Sequence, residues 1–143
     1  MAGPQFFTPK SVQPSRPRKH FTLEQANRSL SLVRRIVGDV VVTHQRFLRL
    51  QDQLEKASAK DQPFLQKDLE LAMNHLEDYV DELSEIGCDL KDYQSGLIDF
   101  TGRHQGRDVC LCWKLGEEKI SYWHEADTGF AGRQPVSTLV END

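Results

Sequence analysis

Two long runs of apolar residues, spaced alternately three and four positions apart, constrain the fold of this chain more than any other feature. The first run covers residues 23–54 and is interrupted only by His44 and Gln51. The second run covers residues 65–86. Apolar residues at this spacing lie along one side of an α-helix and form a coiled-coil-like seam. The pattern therefore predicts two long helices that pack through their seams.

The ends of both predicted helices carry local signals. Thr22 can cap the first helix and Gln25 can return the bond to the cap, which is the capping-box arrangement. Gly87 suits the C-terminal cap of the second helix, because glycine tolerates the left-handed conformation found there. We expect the chain to turn just before Asp61, the predicted N-cap of the second helix, so that the two helices form an antiparallel hairpin.

After Gly87 the helical period stops and short β-prone runs begin. They cover residues 96–100, 108–114 and 119–124 and are separated by turn-forming glycines. We interpret them as a three-stranded antiparallel meander that caps the hairpin near Gly87. The predicted fold class is thus α+β, mostly α, with a two-helix hairpin followed by a small sheet.

The chain divides into three parts by composition. Residues 1–20 are rich in proline and end in a basic cluster, which predicts a flexible tail. Residues 21–87 form the predicted helical hairpin, and residues 88–143 form the predicted β meander with a Gly-rich loop. The size of the chain suits one modest core, so we expect one folded unit over residues 21–136.

Charge and cysteine content limit the partners and the compartment. The net charge of -4 argues against bulk attraction to nucleic acid or to an anionic membrane. No stretch approaches the roughly 20 apolar residues that span a bilayer, and the N-terminus lacks the pattern of a secretory signal. Three cysteines without an export signal indicate reduced thiols. We expect a cytoplasmic protein with no membrane contact.

Helix 1 carries apolar residues outside its seam. They are Leu32, Ile36, Val41, Leu48 and Leu50. An isolated hairpin would leave this flank in water, so something has to cover it. We predict a homodimer through helix 1, with Gly38 marking a close approach or a bend. Long seamed helices with few convergent catalytic groups favour a non-enzymatic interaction or scaffold module that binds an unknown protein partner.

The C-terminal half also resembles a known family. The matching residues are Leu-Cys-Trp at 111–113, Trp-His at 123–124, Gly-Phe-Ala-Gly-Arg at 129–133, and Gly-Leu-Ile-Asp-Phe at 96–100. They look like the signature of the bacterial family called domain of unknown function 2203, and the resemblance covers residues 21–136. It implies a stand-alone bacterial protein with a helical region and a patterned C-terminal segment. It implies no activity.

A ligand site in the C-terminal segment is the alternative to a scaffold. An imidazole, acidic groups and a guanidinium lie close together around a Gly-rich turn, which suits anion binding or acid–base chemistry. The opposing interpretation is that Arg133 pairs with Asp127, Asp99 or Glu125 and fixes the loop onto the sheet. The candidate residues for a small-molecule or phosphate site are Lys91, Trp113, Trp123, His124, Asp127 and Arg133.

The cysteines raise two further possibilities. Cys88, Cys110, Cys112 and His124 supply the ligand types of a Cys₃His zinc site, but their spacing is poor for one. Cys112 could also act as a nucleophile with His124 as its base, if a third group oriented the imidazole. Packed thiols on a buried strand face are the favoured interpretation, so we predict no metal and no cofactor.

Overall fold

The computed structural model describes residues 19–141, which form two helices followed by one antiparallel sheet. Helix α1 spans Leu23–Lys56 and helix α2 spans Gln62–Ile86. The two helices are joined by residues 57–61 and pack against each other, as the two apolar runs predict. Of the predicted tail at residues 1–20, all but Lys19 and His20 lies outside the described residues.

All three residues predicted as helix caps occupy cap positions in the structure. Thr22 and Gln25 form the full capping box at the start of α1. Gly87 ends α2 with φ 116°. Asp61 is the N-cap residue of α2, as predicted, but its side chain makes no capping hydrogen bond. The reason is its backbone, which is already helical at φ -88° and ψ -19°, whereas a capping side chain usually needs an extended residue.

The sheet has five strands, so the prediction of three strands was wrong. The strands are β1 Cys88–Asp92, β2 Leu97–His104, β3 Arg107–Lys114, β4 Tyr122–Glu125 and β5 Gln134–Pro135. They lie in sequence order, each antiparallel to the next. Strand β1 has three charged residues among five, and β5 has only two residues, so neither carries the apolar pattern by which a strand is recognised.

One face of the sheet is apolar and packs on the helices of the same chain. Its buried side chains include Leu90, Ile98, Phe100, Val109, Leu111, Trp113 and Trp123, which join the core residues of α1 and α2 in one cluster. Gly96 lies against Val37 and Val41 of α1. The other face carries the polar residues of the middle strands. Because side chains alternate along a strand, the two faces have different chemistry.

The off-seam apolar residues of α1 do not form one exposed face. Ile36 and Leu50 are buried, and Val41 is half-buried. Leu32 and Leu48 remain 51% and 46% exposed. They are sixteen residues apart, which places them about 160° from each other around a helix. A partner that covers Leu32 therefore cannot also cover Leu48 through the same contact.

Neither helix in the described part of the chain combines the length and the apolar character that a membrane span requires. Gly38 faces open space, since a Cβ added there would meet nothing within 4 Å. The close approach or bend expected at Gly38 belongs to the contact with a second copy of the chain and stays a prediction.

Candidate functional site

The tight turn between β2 and β3 determines which residues face each other on the polar face of the sheet. Gln105 and Gly106 both have positive φ, 51° and 80°, as a two-residue type I′ hairpin turn requires. This turn fixes the register of the two strands and places Asp99 directly opposite Cys112. Both side chains point to the face away from the helices.

His124 of β4 joins this pair from the next strand. It lies opposite Cys110, which places it diagonally across from Cys112. One ligand-type atom from each of Asp99, Cys112 and His124 lies within 4.8 Å of the other two. All three residues are buried. We call these three residues the Asp–Cys–His cluster.

Both ring nitrogens of His124 are engaged. Nδ1 lies 2.7 Å from the backbone carbonyl oxygen of Glu125, which can only accept, so Nδ1 carries the proton. Nε2 lies 3.3 Å from carboxylate oxygens of Asp99. The hydrogen bond with Asp99 raises the pKa of His124 against the opposing effect of burial. The imidazole therefore has no ring nitrogen left to serve as base for a thiol.

The thiol of Cys112 is not activated. Burial, together with the nearby charge of Asp99, raises its pKa to about 12, and Arg133 offsets only part of this effect. Because the thiolate is the nucleophilic form of cysteine, a protonated and fully buried thiol is a poor nucleophile. The possible pairing of Cys112 with His124 as its base does not form, since Asp99 holds the nitrogen that such a base would use.

Arg133 is committed to contacts within the protein. Its guanidinium donates to Glu117 at 2.7 Å and stacks on the rings of Tyr122 and Phe130, with its Cζ 4.2 and 4.6 Å from their centroids. It also lies within hydrogen-bonding reach of Cys112. Its side chain is only 13% exposed. Arg133 thus fixes the loop as one interpretation expected, but its partner is Glu117 and not Asp127, Asp99 or Glu125.

The two tryptophans lie on the apolar face and cannot form a wall beside His124. Trp113 donates from Nε1 to the carbonyl oxygen of Glu117 at 3.0 Å. Trp123 donates to Oγ1 of Thr138 at 2.9 Å and stacks on His104 at 4.4 Å. Strand alternation explains this placement, because each tryptophan is next in sequence to a residue of the Asp–Cys–His cluster.

Lys91 and Asp127 are both exposed and lie at the edge of the polar face. Lys91 lies at the register shift between Leu90 and Asp92 of β1. It lines a cavity of about 230 Å³ together with Asp89, Asp99, Thr101, Asp108, Val109, Cys110 and Ala126. Asp127 lies in the turn after β4. Three carboxylates line this cavity beside one lysine, so its charge suits a cation better than a phosphate.

The four residues of the Cys₃His alternative do not all come together, since only Cys112 and His124 lie in the cluster. Cys88 lies on the apolar side, where its buried thiol donates to the carbonyl oxygen of Leu83 at 3.6 Å. Cys110 shares a face with Cys112 but is outside the Asp–Cys–His cluster. Asp99, which replaces them beside Cys112 and His124, was not among our candidate site residues. The signal that could have found it is the turn at Gln105 and Gly106, which sets the pairing of β2 with β3.

The family model described as an uncharacterized conserved protein, DUF2203, matches residues 19–136. The chain belongs to this family. The DUF2203 match includes every residue of the Asp–Cys–His cluster and also Glu117 and Arg133. No curated protein matches the chain, and no solved structure matches it. Membership in DUF2203 shows the family and assigns no activity, and the bacterial origin stays a prediction.

Proposed function

We propose that this DUF2203 protein is a non-enzymatic interaction module that assembles as a homodimer through α1. The main support for this proposal is an apolar groove between the first half of α1 and the end of α2. The groove has a volume of about 380 Å³ and is lined by Leu32, Ile36, Glu82, Glu85 and Ile86. We call it the hairpin groove.

The hairpin groove adjoins a second cavity of about 410 Å³, with Ile86 in the lining of both. This cavity is lined by Lys19, His20, Phe21, Gln25, Arg28, Ser29 and Ile86. The two neighbouring cavities thus have apolar residues in their lining, an acidic part at Glu82 and Glu85, and a basic part at Lys19 and Arg28, of which Arg28 is paired with Glu24. Apolar grooves with charged borders are common sites of protein recognition.

The charge pattern favours a second copy of the chain as the occupant. In a two-fold symmetric dimer, each contact occurs twice with the two partners exchanged. A surface that carries acidic groups at one end and basic groups at the other can therefore pair with itself, acidic end to basic end. Leu32 is 51% exposed beside these groups and would supply the apolar contact at the centre.

The polar face of the sheet supports a non-enzymatic role. His124 has both nitrogens engaged, Cys112 is buried with a raised pKa, and Arg133 is paired with Glu117. A catalytic nucleophile needs a base within reach and access to substrate, and the Cys112 and His124 pair meets neither condition. The cytoplasmic location and the further protein partner of such a module remain predictions.

The alternative proposal, a small-molecule or phosphate site at the C-terminal segment, has less support. Arg133 is neutralised by Glu117, and Trp113 and Trp123 face the helices. Of the candidate residues, only Lys91 lines the cavity on the polar face, and there it is surrounded by carboxylates.

A pair of variants on α1 tests the dimer by analytical ultracentrifugation of the untagged full chain. Leu32→Glu places a charge in the hairpin groove and is expected to raise the dimer dissociation constant at least about tenfold, a change of roughly 1.4 kcal/mol. Leu48→Glu is the matched control, because Leu48 is 46% exposed on another side of the same helix. A monomeric wild type, or equal weakening by both variants, contradicts the proposal.

A further inference from the structure

We propose that Asp99, Cys112 and His124 form a binding site for Zn²⁺ on the polar face of the sheet. The carboxylate, thiol and imidazole are three of the ligand types that zinc takes in proteins. This inference goes beyond the proposed function, and it holds whether or not the chain dimerises.

The distances in the Asp–Cys–His cluster are close to those that a bound ion requires. Its three ligand-type atoms lie within 4.8 Å of one another. Around a tetrahedral Zn²⁺ with bonds of about 2.0–2.3 Å, neighbouring ligand atoms lie roughly 3.3–3.8 Å apart. The separation of Nε2 of His124 from Asp99, at 3.3 Å, is already in this range. Small side-chain rotations would bring the cluster to the coordination geometry.

The backbone under the cluster is held in place by hydrogen-bonded strands. Asp99, Cys112 and His124 come from three neighbouring strands, β2, β3 and β4, in a register set by the β2–β3 turn and the β3–β4 pairing. Nδ1 of His124 donates to the carbonyl oxygen of Glu125 at 2.7 Å. Metal-binding histidines usually make such a bond with the nitrogen that does not bind the ion, because it orients the ring. Here it directs Nε2 towards Asp99 and Cys112.

The donor set selects the kind of metal. A sulfur and an imidazole nitrogen favour a transition metal over Mg²⁺ and Ca²⁺, which prefer oxygen ligands. Binding of Zn²⁺ would displace the proton of the buried Cys112 thiol to solvent, because a cysteine ligand binds as the thiolate. The thiolate and the carboxylate would then carry two negative charges, which match a divalent ion. The guanidinium of Arg133 lies beside Cys112, but Glu117 at 2.7 Å compensates its charge. Lys91 also acts on His124, but it lines the adjacent cavity beside the carboxylates of Asp89 and Asp108, which offset its charge.

The fourth position of a tetrahedral ion can be filled from the neighbouring cavity. Asp99 lines that cavity of about 230 Å³ as well as belonging to the cluster. A water molecule entering through it would complete the coordination, as in other zinc sites with three protein ligands. Asp89 and Asp108 also line the cavity and would attract a cation towards Asp99.

Cobalt binding tests the site, because a thiolate bound to Co²⁺ gives a charge-transfer band in the near ultraviolet. The untagged full chain is freed of metal with a chelator and titrated with Co²⁺, and then with Zn²⁺ in competition. We expect one ion per chain, a charge-transfer band, and loss of the band when Zn²⁺ displaces Co²⁺. A wild type that shows no such band at saturating Co²⁺ overturns the proposal.

Variants assign the band to individual residues. Cys112→Ser should abolish it, and His124→Ala should weaken Co²⁺ binding by at least about 100-fold. Cys110→Ser is the matched control, since Cys110 lies two residues away on the same face and should leave the band unchanged. A band of full strength in Cys112→Ser contradicts the site.

A second variant tests the site even if Cys112→Ser does not fold. The chain has three cysteines, so Cys88→Ala combined with Cys110→Ser leaves Cys112 as the only thiol. The charge-transfer band must persist in this folded double variant. Its loss, with the circular dichroism spectrum unchanged, overturns the proposal.

Discussion

The guanidinium of Arg133 lies 2.7 Å from the carboxylate of Glu117 and links the segment before β5 to the turn after β3. Glu117 also accepts a hydrogen bond from the backbone N–H of Lys114 at 2.8 Å. Both side chains are partly buried, so loss of either partner would leave the other charge unpaired in a poorly solvated position, which is costly. The pair holds the C-terminal segment against the polar face of the sheet.

Glu117→Gln is expected to lower the free energy of unfolding by about 1–3 kcal/mol at neutral pH, because Arg133 would keep its buried charge without a carboxylate partner. Urea denaturation of both proteins measures the difference. Asp127→Asn is the control, since Asp127 is exposed. Equal stability of Glu117→Gln and the wild type would contradict the structural role of the pair.

The same pair predicts a pH dependence. Burial raises the pKa of Glu117, but the hydrogen bond from Arg133 and the contacts with Lys114 outweigh this effect and leave the pKa below its ordinary value of 4.5. A carboxyl group with a lowered pKa in the folded state stabilises the protein above its unfolded pKa and loses this contribution as the pH falls. The stability difference between the wild type and Glu117→Gln should therefore shrink as the pH falls below 4.5.

Tyr93 predicts a loss of stability at high pH, whereas Glu117 predicts one at low pH. Burial, with the charge of Glu77, raises its pKa from 10.0 to about 12, and its hydroxyl has no hydrogen-bond partner among the described residues. The folded state therefore binds more protons than the unfolded state between these two values, so stability falls as the pH rises through them.

Tyr93→Phe should change the free energy of unfolding by less than about 1 kcal/mol at neutral pH. It should also remove the part of the stability loss at alkaline pH that comes from ionisation of Tyr93. Urea denaturation at neutral and alkaline pH measures both effects. Tyr79→Phe, a half-buried tyrosine on α2, controls for the loss of a phenol. An alkaline loss that is unchanged in Tyr93→Phe would show that Tyr93 is not its source.

Substitution of two glycines by alanine is expected to change the stability of the protein in opposite directions. Gly38 is inside α1 with nothing within 4 Å of an added Cβ, so Gly38→Ala should raise the unfolding free energy by about 1 kcal/mol. Gly96 has φ 73°, and an added Cβ would lie 2.8 Å from Val37. Gly96→Ala should therefore cost about 1–3 kcal/mol. Thermal denaturation compares the two, and destabilisation by Gly38→Ala would indicate a close contact at this position.

The three cysteines should differ in reactivity. Burial raises the pKa of Cys88 and Cys112 to about 12, whereas Cys110 is only half-buried. Because alkylation proceeds through the thiolate, iodoacetamide should modify Cys110 first in the folded protein. Peptide mass spectrometry after short exposure measures the order. Modification of Cys112 as fast as Cys110 would contradict the enclosed position of the cluster.

The helical half of the fold was predictable because its signals are local. Seam spacing, the capping box at Thr22 and the glycine at position 87 are each read within a few residues of sequence. The sheet was predicted only in part. Strand β1, with its charged residues, and the two-residue β5 form through pairing with β2 and β4, and that pairing has no local signal.

The candidate site was harder to predict because it depends on register. His124 and Arg133 were recognised from their residue types, but their contacts are with Asp99 and Glu117, which the sequence does not mark. Alternation along the strands also separates the tryptophans from their polar neighbours. With the turn at residues 105–106 taken as the centre of the hairpin, the opposition of Asp99 and Cys112 follows by counting.

Native mass spectrometry of the untagged wild type at micromolar concentration gives the number of subunits in one spectrum and so tests the proposed homodimer. We expect a complex with twice the mass of the denatured chain, which reverts to single chains in Leu32→Glu but not in Leu48→Glu. A wild-type spectrum that contains only single chains would contradict the homodimer and the function proposed for it.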